Sequence, residues 1–226
     1  MSDASCKDAS IGGIDYHSYI TRLKEICIET LHENYLSEIL IPFFRSCCPD
    51  VMKIVPVFDD RATGKKPKGK TATRNRMETI CAETENGKYI VPDYIFVPKG
   101  YTVDNPMKPC LMVEVKKPIL LKREDGYYYR PLKEKMDNYE AELRNEINAN
   151  KNRYLIFTDC ITWMFLTIKD DNIVEADDYT PHILLNVDQN RMYHMTQLIT
   201  EKPEEWSKLR NTIYDLLSLY SEQAAE

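Results

Sequence analysis

Three charged residues stand where charge is expensive. Glu114 and Lys116 end the run Cys110-Leu-Met-Val-Glu-Val-Lys116, and Asp93 follows Pro92 at the head of another apolar stretch, Tyr94-Ile-Phe-Val97. A buried charge without a partner costs several kcal/mol, so each needs a partner or a task. Strand side chains alternate, which places Glu114 and Lys116 on one face of a strand covering residues 110–115. Two readings fit. In the first, Glu114 and Lys116 form a local ion pair at a strand end and Asp93 is a turn acid; the tripeptide E-x-K alone is common and carries little information. In the second, Asp93, Glu114 and the Val115 carbonyl offer oxygen ligands to Mg²⁺ or Mn²⁺, and Lys116 orients or deprotonates the attacking water or stabilises charge on a phosphate. The chemistry expected from the second reading is phosphodiester hydrolysis.

The elements that would position these residues follow from periodicity. A helix is predicted from about Asp15, a candidate N-cap, to Arg45, with Ile20, Leu23, Cys27, Leu31 and Tyr35 at helical spacing and Pro42 able to end or bend it. Glu25, Glu29 and Glu33 fall on its wet side. Glu38, at 100° per residue, returns to the bearing of Ile20 and Leu31 and is expected to point inward. Strands are predicted at Met52–Phe58, Met77–Glu83 and Lys88–Pro98, the last two joined by Asn86-Gly87, a hairpin signal. Cys110–Val115 reads as a strand buried on both faces. An irregular excursion carrying Tyr127, Tyr128 and Tyr129 precedes a helix opened by Pro131, with Leu132, Met136, Tyr139, Leu143 and Ile147 as its apolar stripe. Strands at Arg153–Thr158 and Ile161–Ile168 flank a tight turn at Asp159-Cys160, and their order after a helix implies a crossover. A last helix starts near Pro203, with Trp206, Leu209, Ile213, Leu216 or Leu217, and Tyr220 inward. Residues 170–200 give no firm assignment.

Pro92-Asp93, then an apolar strand ending in Glu114-Val115-Lys116, resembles the signature of the PD-(D/E)XK nuclease superfamily. Within it, Leu111-Met-Val-Glu-Val-Lys-Lys-Pro118, the helix containing Tyr139, and Tyr154-Leu-Ile-Phe-Thr-Asp-Cys-Ile-Thr-Trp-Met-Phe165 look like the N-terminal nuclease domain of type I restriction subunits. The resemblance spans residues 15–168 and implies Asp93, Glu114 and Lys116 as the catalytic centre, with Mg²⁺ or Mn²⁺ as cofactor. It also implies a further metal-binding acid on the first helix, for which Glu38 is the candidate and Glu33 and Glu29 are reserves. Such relatives often carry a Gln about one turn before the Tyr of the second helix. Here Lys135 stands in that place, where at a cleft edge it could meet a phosphate.

The expected fold is mixed α/β, a restriction-endonuclease-like core with a central sheet of four or five strands flanked by helices. One domain is expected over residues 1–226, with a core at 15–168 and a C-terminal helical extension at 169–226. A net charge of −6 argues against coating nucleic acid by bulk attraction. Any such surface must be local, and the stretch Arg61–Arg76 concentrates Lys65, Lys66, Lys68, Lys70, Arg74 and Arg76 with no acid. That stretch is either a phosphate-binding surface or a solvated connection. The seven cysteines form no CxxC pair and read as reduced, buried hydrophobes. With no leader and no spanning segment, a cytoplasmic protein is expected. The expected partner is nucleic acid, DNA before RNA, and no membrane, with a homodimer or a partner subunit left open. No GxxxxGK[ST] motif occurs, so translocation would need that subunit. The alternatives are an RNA endonuclease on the same core and a nucleic-acid-binding or scaffold module that does not cut.

Overall fold

The computed structural model describes residues 13–28, 33–56, 92–102, 109–123, 126–149, 153–184 and 202–223. Helix α1 (Tyr16–Ile28) opens as its first residues dictate. The Asp15 carboxylate accepts bonds from the Ser18 N–H at 2.9 Å and the Ser18 hydroxyl at 2.7 Å, and these bonds hold its pKa below the usual carboxylate value. Tyr19, Ile20, Leu23, Ile26 and Cys27 are buried. The single long helix expected over 15–45 is two helices. A 3-10 turn, Glu33–Leu36, leads into α2 (Ser37–Cys47), and α2 runs through Pro42 because Ile39, Leu40, Phe43, Phe44 and Cys47 all bury their side chains.

Among the described residues, seven strands form the main sheet, more than the four or five expected. They are β1 (Met52–Pro56), β2 (Tyr94–Pro98), β3 (Leu111–Val115), β6 (Leu155–Thr158), β7 (Thr162–Lys169), β8 (Asn172–Glu175) and the short β9 (His182–Ile183). Their order is β1-β2-β3-β6-β7-β8, with β9 also on β7. The β3–β6 pairing is parallel and every other one is antiparallel. A parallel pair needs a crossover. Helix α3 (Met136–Ala149), entered through a 3-10 turn at Leu132–Lys135, supplies it, as the order of elements implies. The excursion expected to be irregular is a two-stranded ribbon, β4 (Ile119–Arg123) on β5 (Gly126–Arg130). Its tyrosines suit strands by propensity, which favours hairpin packing for them over stacking on bases. Strands β8 and β9 fall in the stretch that gave no assignment. The predicted Met77–Glu83 strand and the Asn86-Gly87 hairpin lie outside the described residues, as does most of the Lys88–Pro98 run before β2.

Alternation along the strands builds two cores. Tyr94, Phe96, Leu111, Val113, Val115, Ile156, Trp163 and Phe165 face α1, α2 and the final helix α4 (Pro203–Gln223). Ile95, Val97, Met112, Leu155, Phe157, Met164 and Leu166 face the Leu132–Lys135 turn and α3 through Leu132, Leu143 and Ile147. The sheet is thus a middle layer between helices, the mixed α/β class expected. Helix α4 is part of the first core rather than an addition to it: the Trp206 ring lies 4.6 Å from Phe43 and 4.8 Å from Tyr19, centroid to centroid. Truncating Trp206 to alanine is therefore expected to cost roughly 3–5 kcal/mol, the scale of losing a large aromatic from a packed core. Urea unfolding followed by near-UV dichroism would measure it, and a loss below 1 kcal/mol (roughly the scale of a surface substitution) would show that α4 is only laid on.

Cys27, Cys47, Cys48, Cys110 and Cys160 are free thiols, all buried except the half-buried Cys48. Burial pushes the Cys27 and Cys48 thiols up to about 12, so neither is a thiolate at neutral pH. This agrees with reading them as small hydrophobes. No helix among the described residues is long and apolar enough to cross a membrane.

Candidate metal centre

The β2–β3 register pairs Tyr94 with Val113, so Asp93 stands one step beyond, beside Glu114. Its Oδ2 accepts the Val115 N–H at 2.7 Å, which fixes the half-buried carboxylate against the end of β3. On the other side of β3, the Lys116 N–H donates to the Thr158 carbonyl at 2.8 Å and ties the E-x-K segment to the end of β6. Asp93, Glu114 and Lys116 therefore meet at one corner of the sheet, on the α3 face. The shared face expected for Glu114 and Lys116 holds, since Met112 of the same parity packs in the α3-side core.

Helix α3 completes the corner with residues not singled out from the sequence. One carboxylate oxygen from each of Glu114, Glu142 and Glu146 lies within 4.8 Å of the other two. Glu114 and Glu146 are buried and Glu142 is exposed. The Lys116 ammonium donates to Glu114 Oε1, lies 3.4 Å from Glu142 Oε2, and sits 4.4 Å above the centre of the Tyr139 ring. Glu142 and Glu146 are one helical turn apart and so project from one stripe, with Tyr139 next to it. A signal for Glu146 was present in the sequence: an acid on the same stripe as Leu143 and Ile147 should not be solvated.

Electrostatics sets this corner apart from ordinary surface pairs. Burial, then the neighbouring charges of Glu146, Asp93 and Glu142, raises Glu114 well above the usual carboxylate range, with Lys116 opposing. Burial and then Glu142 push Glu146 up to about 8. Burial works against a charged Lys116, yet the Glu114 carboxylate and its hydrogen bond, with Glu142 and Asp93, hold it above the usual lysine range. Lys116 is thus a cation at neutral pH. Glu114 Oε2 and Glu146 Oε2 are buried acceptors without a hydrogen-bond donor among the described residues, and the two side chains lie close together. Only a proton carried by one of them, or a cation, can join them. Three carboxylate oxygens with no sulfur or imidazole form a hard donor set that suits Mg²⁺ or Mn²⁺.

Other expected site residues lie elsewhere. Glu38 is exposed, and its Oε2 accepts from Arg22 Nε at 2.9 Å and Nη2 at 2.7 Å. Its inward bearing assumed one unbroken helix, whereas the 3-10 turn before Ser37 resets the phase. Glu29 lies outside the described residues, and Glu33 begins that turn. Lys135 is not at a cleft edge but enclosed, 1% exposed, with Nζ 3.6 Å from the buried Asp159. Lys65, Lys66, Lys68, Lys70, Arg74 and Arg76 lie outside the described residues. Trp163 and Trp206 are core residues, as expected.

Compared with family models, curated proteins and solved structures, the chain gives no match. The class that fold and site define is a mixed α/β protein with a buried acid cluster at one corner of its sheet.

Proposed function

We propose that the chain is a divalent-cation-dependent nuclease of the PD-(D/E)XK type, hydrolysing phosphodiester bonds in DNA. The observation that carries this reading is the convergence of Asp93, Glu114 and Lys116 from two adjacent strands with Glu142 and Glu146 from the crossover helix. Such a cluster of acids repels itself unless protons or cations intervene, which is a poor device for stability alone.

Glu114, Glu142 and Glu146 would hold Mg²⁺ or Mn²⁺, with Asp93 beside them, and the ion would supply charge neutralisation at the phosphate and lower the pKa of the attacking water. Glu114 anchors the arrangement because it is the residue touched by both the lysine and the helix acids. Lys116, held as a cation, would donate to a non-bridging phosphate oxygen as charge develops there. Of the two roles considered for this lysine, charge stabilisation fits its raised pKa better than proton abstraction. Tyr139 lies under the ammonium and limits where it can swing.

The second reading is a module that binds without cutting, favoured by one observation: Lys116 is already satisfied by Glu114, Glu142 and Tyr139. Incubating the protein with supercoiled, linear and single-stranded DNA and with RNA, in Mg²⁺, Mn²⁺ or EDTA, separates the two. Metal-dependent cleavage that EDTA stops is the expected result. Binding without cleavage under every condition supports the second reading.

Neighbouring lysines give an internal control. Lys116 points to the α3 face, while Lys117 lies on the opposite face and acts on the Cys27 thiol of α1. Lys116→Ala is expected to lose about 10²–10⁴-fold in turnover, the usual span for a side chain assisting the chemical step, and Lys117→Ala less than about threefold. Single-turnover rates at saturating substrate would decide, and equal losses would mean that the wrong face has been chosen.

A further inference from the structure

We propose that Lys135 is a positioning residue: paired with Asp159 beneath the surface, it fixes the rotation and axial register of α3 on the sheet and so holds Glu142 and Glu146 against Glu114. The inference rests on the reading of that acid cluster as a divalent-cation site.

The acids share one stripe of α3. At about 100° per residue, Tyr139, Glu142 and Glu146 fall within roughly 60° of one another around the helix axis. Lys135 is the last residue of the 3-10 turn that leads directly into that helix. A slip of one residue would rotate it by about 100° and shift it by about 1.5 Å, enough to remove both acids from Glu114. A metal site tolerates errors of only about 0.5 Å, so something must set the register.

Apolar packing through Leu143 and Ile147 drives α3 onto the sheet, but it is non-directional. The pairs Lys133–Glu175 and Arg144–Asp171 also reach the sheet side, at 2.8 and 2.7 Å. Lys133 and Asp171 are highly exposed, and such pairs constrain little. The Lys135–Asp159 pair differs, since the two side chains are 1% and 0% exposed. In that setting a displaced ammonium would leave a buried carboxylate uncompensated, so moving the helix away from this contact is costly.

Asp159 is itself a rigid anchor. Its Oδ1 accepts the N–H groups of Ile161 at 3.2 Å and Thr162 at 2.9 Å, which leaves Oδ2 aimed at Lys135. The adjacent Thr158 accepts the Cys160 N–H with its hydroxyl and, with its carbonyl, receives the N–H of Lys116. The turn after β6 thereby touches both the E-x-K segment and the foot of α3. A buried ion pair of this kind is commonly replaceable by neutral side chains without loss of stability, so stability alone does not account for it.

The test uses the full chain, with Mn²⁺ affinity by calorimetry and urea unfolding measured in parallel. The double variant Lys135→Met/Asp159→Asn neutralises the pair while the Asn oxygen still accepts from Ile161 and Thr162. Its stability is expected to match the wild type, whereas its Mn²⁺ affinity falls about tenfold or more, the scale seen when supports of a metal site are removed. Unchanged affinity overturns the inference, whether or not stability changes. Should the double variant fail to fold, Asp159→Asn alone is judged by the same affinity criterion. Glu146→Gln reports on the underlying reading: wild-type affinity in that variant, or no Mn²⁺ binding by the wild type, sinks the cation site and the inference with it. Loss in Glu146→Gln with wild-type affinity in the double variant sinks the positioning role alone.

Discussion

Asp93→Asn and Glu114→Gln are each expected to lower the cleavage rate by about 10²–10³-fold, the scale of removing a charge-stabilising group from an enclosed reaction site. Both substitutions preserve shape. The Asn oxygen can still accept the Val115 N–H that Asp93 now accepts at 2.7 Å, so the β2–β3 junction should persist. Gln at 114 removes a carboxylate that its surroundings already push towards the neutral form. Neither variant should unfold, and Glu114→Gln should be the more stable of the two without metal. Turnover on DNA and calorimetric Mn²⁺ binding are the measurements. Mn²⁺ affinity unchanged in both variants would remove these residues from the cation site and leave the ion-pair reading of the sheet corner standing.

Stability without metal is expected to fall as pH rises from about 5 to about 8. The sign follows from the acids that burial holds above their usual range, Glu114 well above it and Glu146 at about 8. Above the ordinary carboxylate pKa the unfolded chain has lost these protons and the folded chain has not, so the folded state binds more protons and each further rise in pH favours unfolding. The effect ends above the folded-state value, where both states are ionised, and is absent below the unfolded value, where both are protonated. For Glu146 the loss is on the order of 2–5 kcal/mol, or about 5–15 °C in Tm for a chain of this size. Because other groups also titrate, the decisive quantity is the difference from Glu146→Gln, which should lack most of the fall. Saturating Mn²⁺ should restore the wild type at pH 8 by taking the place of the protons, and its affinity should strengthen over the same window. Parallel pH profiles for wild type and Glu146→Gln would contradict a buried, proton-sharing pair.

What the sequence determined by itself is the placement of local elements and one face of the site. Cys110–Val115 announces a strand buried on both sides, and period-two alternation then puts Glu114 and Lys116 together with no reference to the rest of the chain. Pro131 and Pro203 open helical segments, and Trp163 and Trp206 go to the core, because hydrophobic periodicity is a local property. Tertiary structure decided what depends on where a helix stops or how it rotates on the sheet. Glu38 was placed inward by carrying a constant phase across a break that residues 33–36 introduce, and it pairs with Arg22 instead. Glu142 and Glu146 were not singled out from the sequence, and only the β3–α3–β6 crossover lays their helix over Glu114. Lys135 was expected at a cleft edge because it stands where the resembled nucleases carry a Gln one turn before the helix Tyr. Its burial is legible only once the turn after β6 brings Asp159 to meet it, since the free energy of a buried charge depends on a partner that is close in space and distant in sequence.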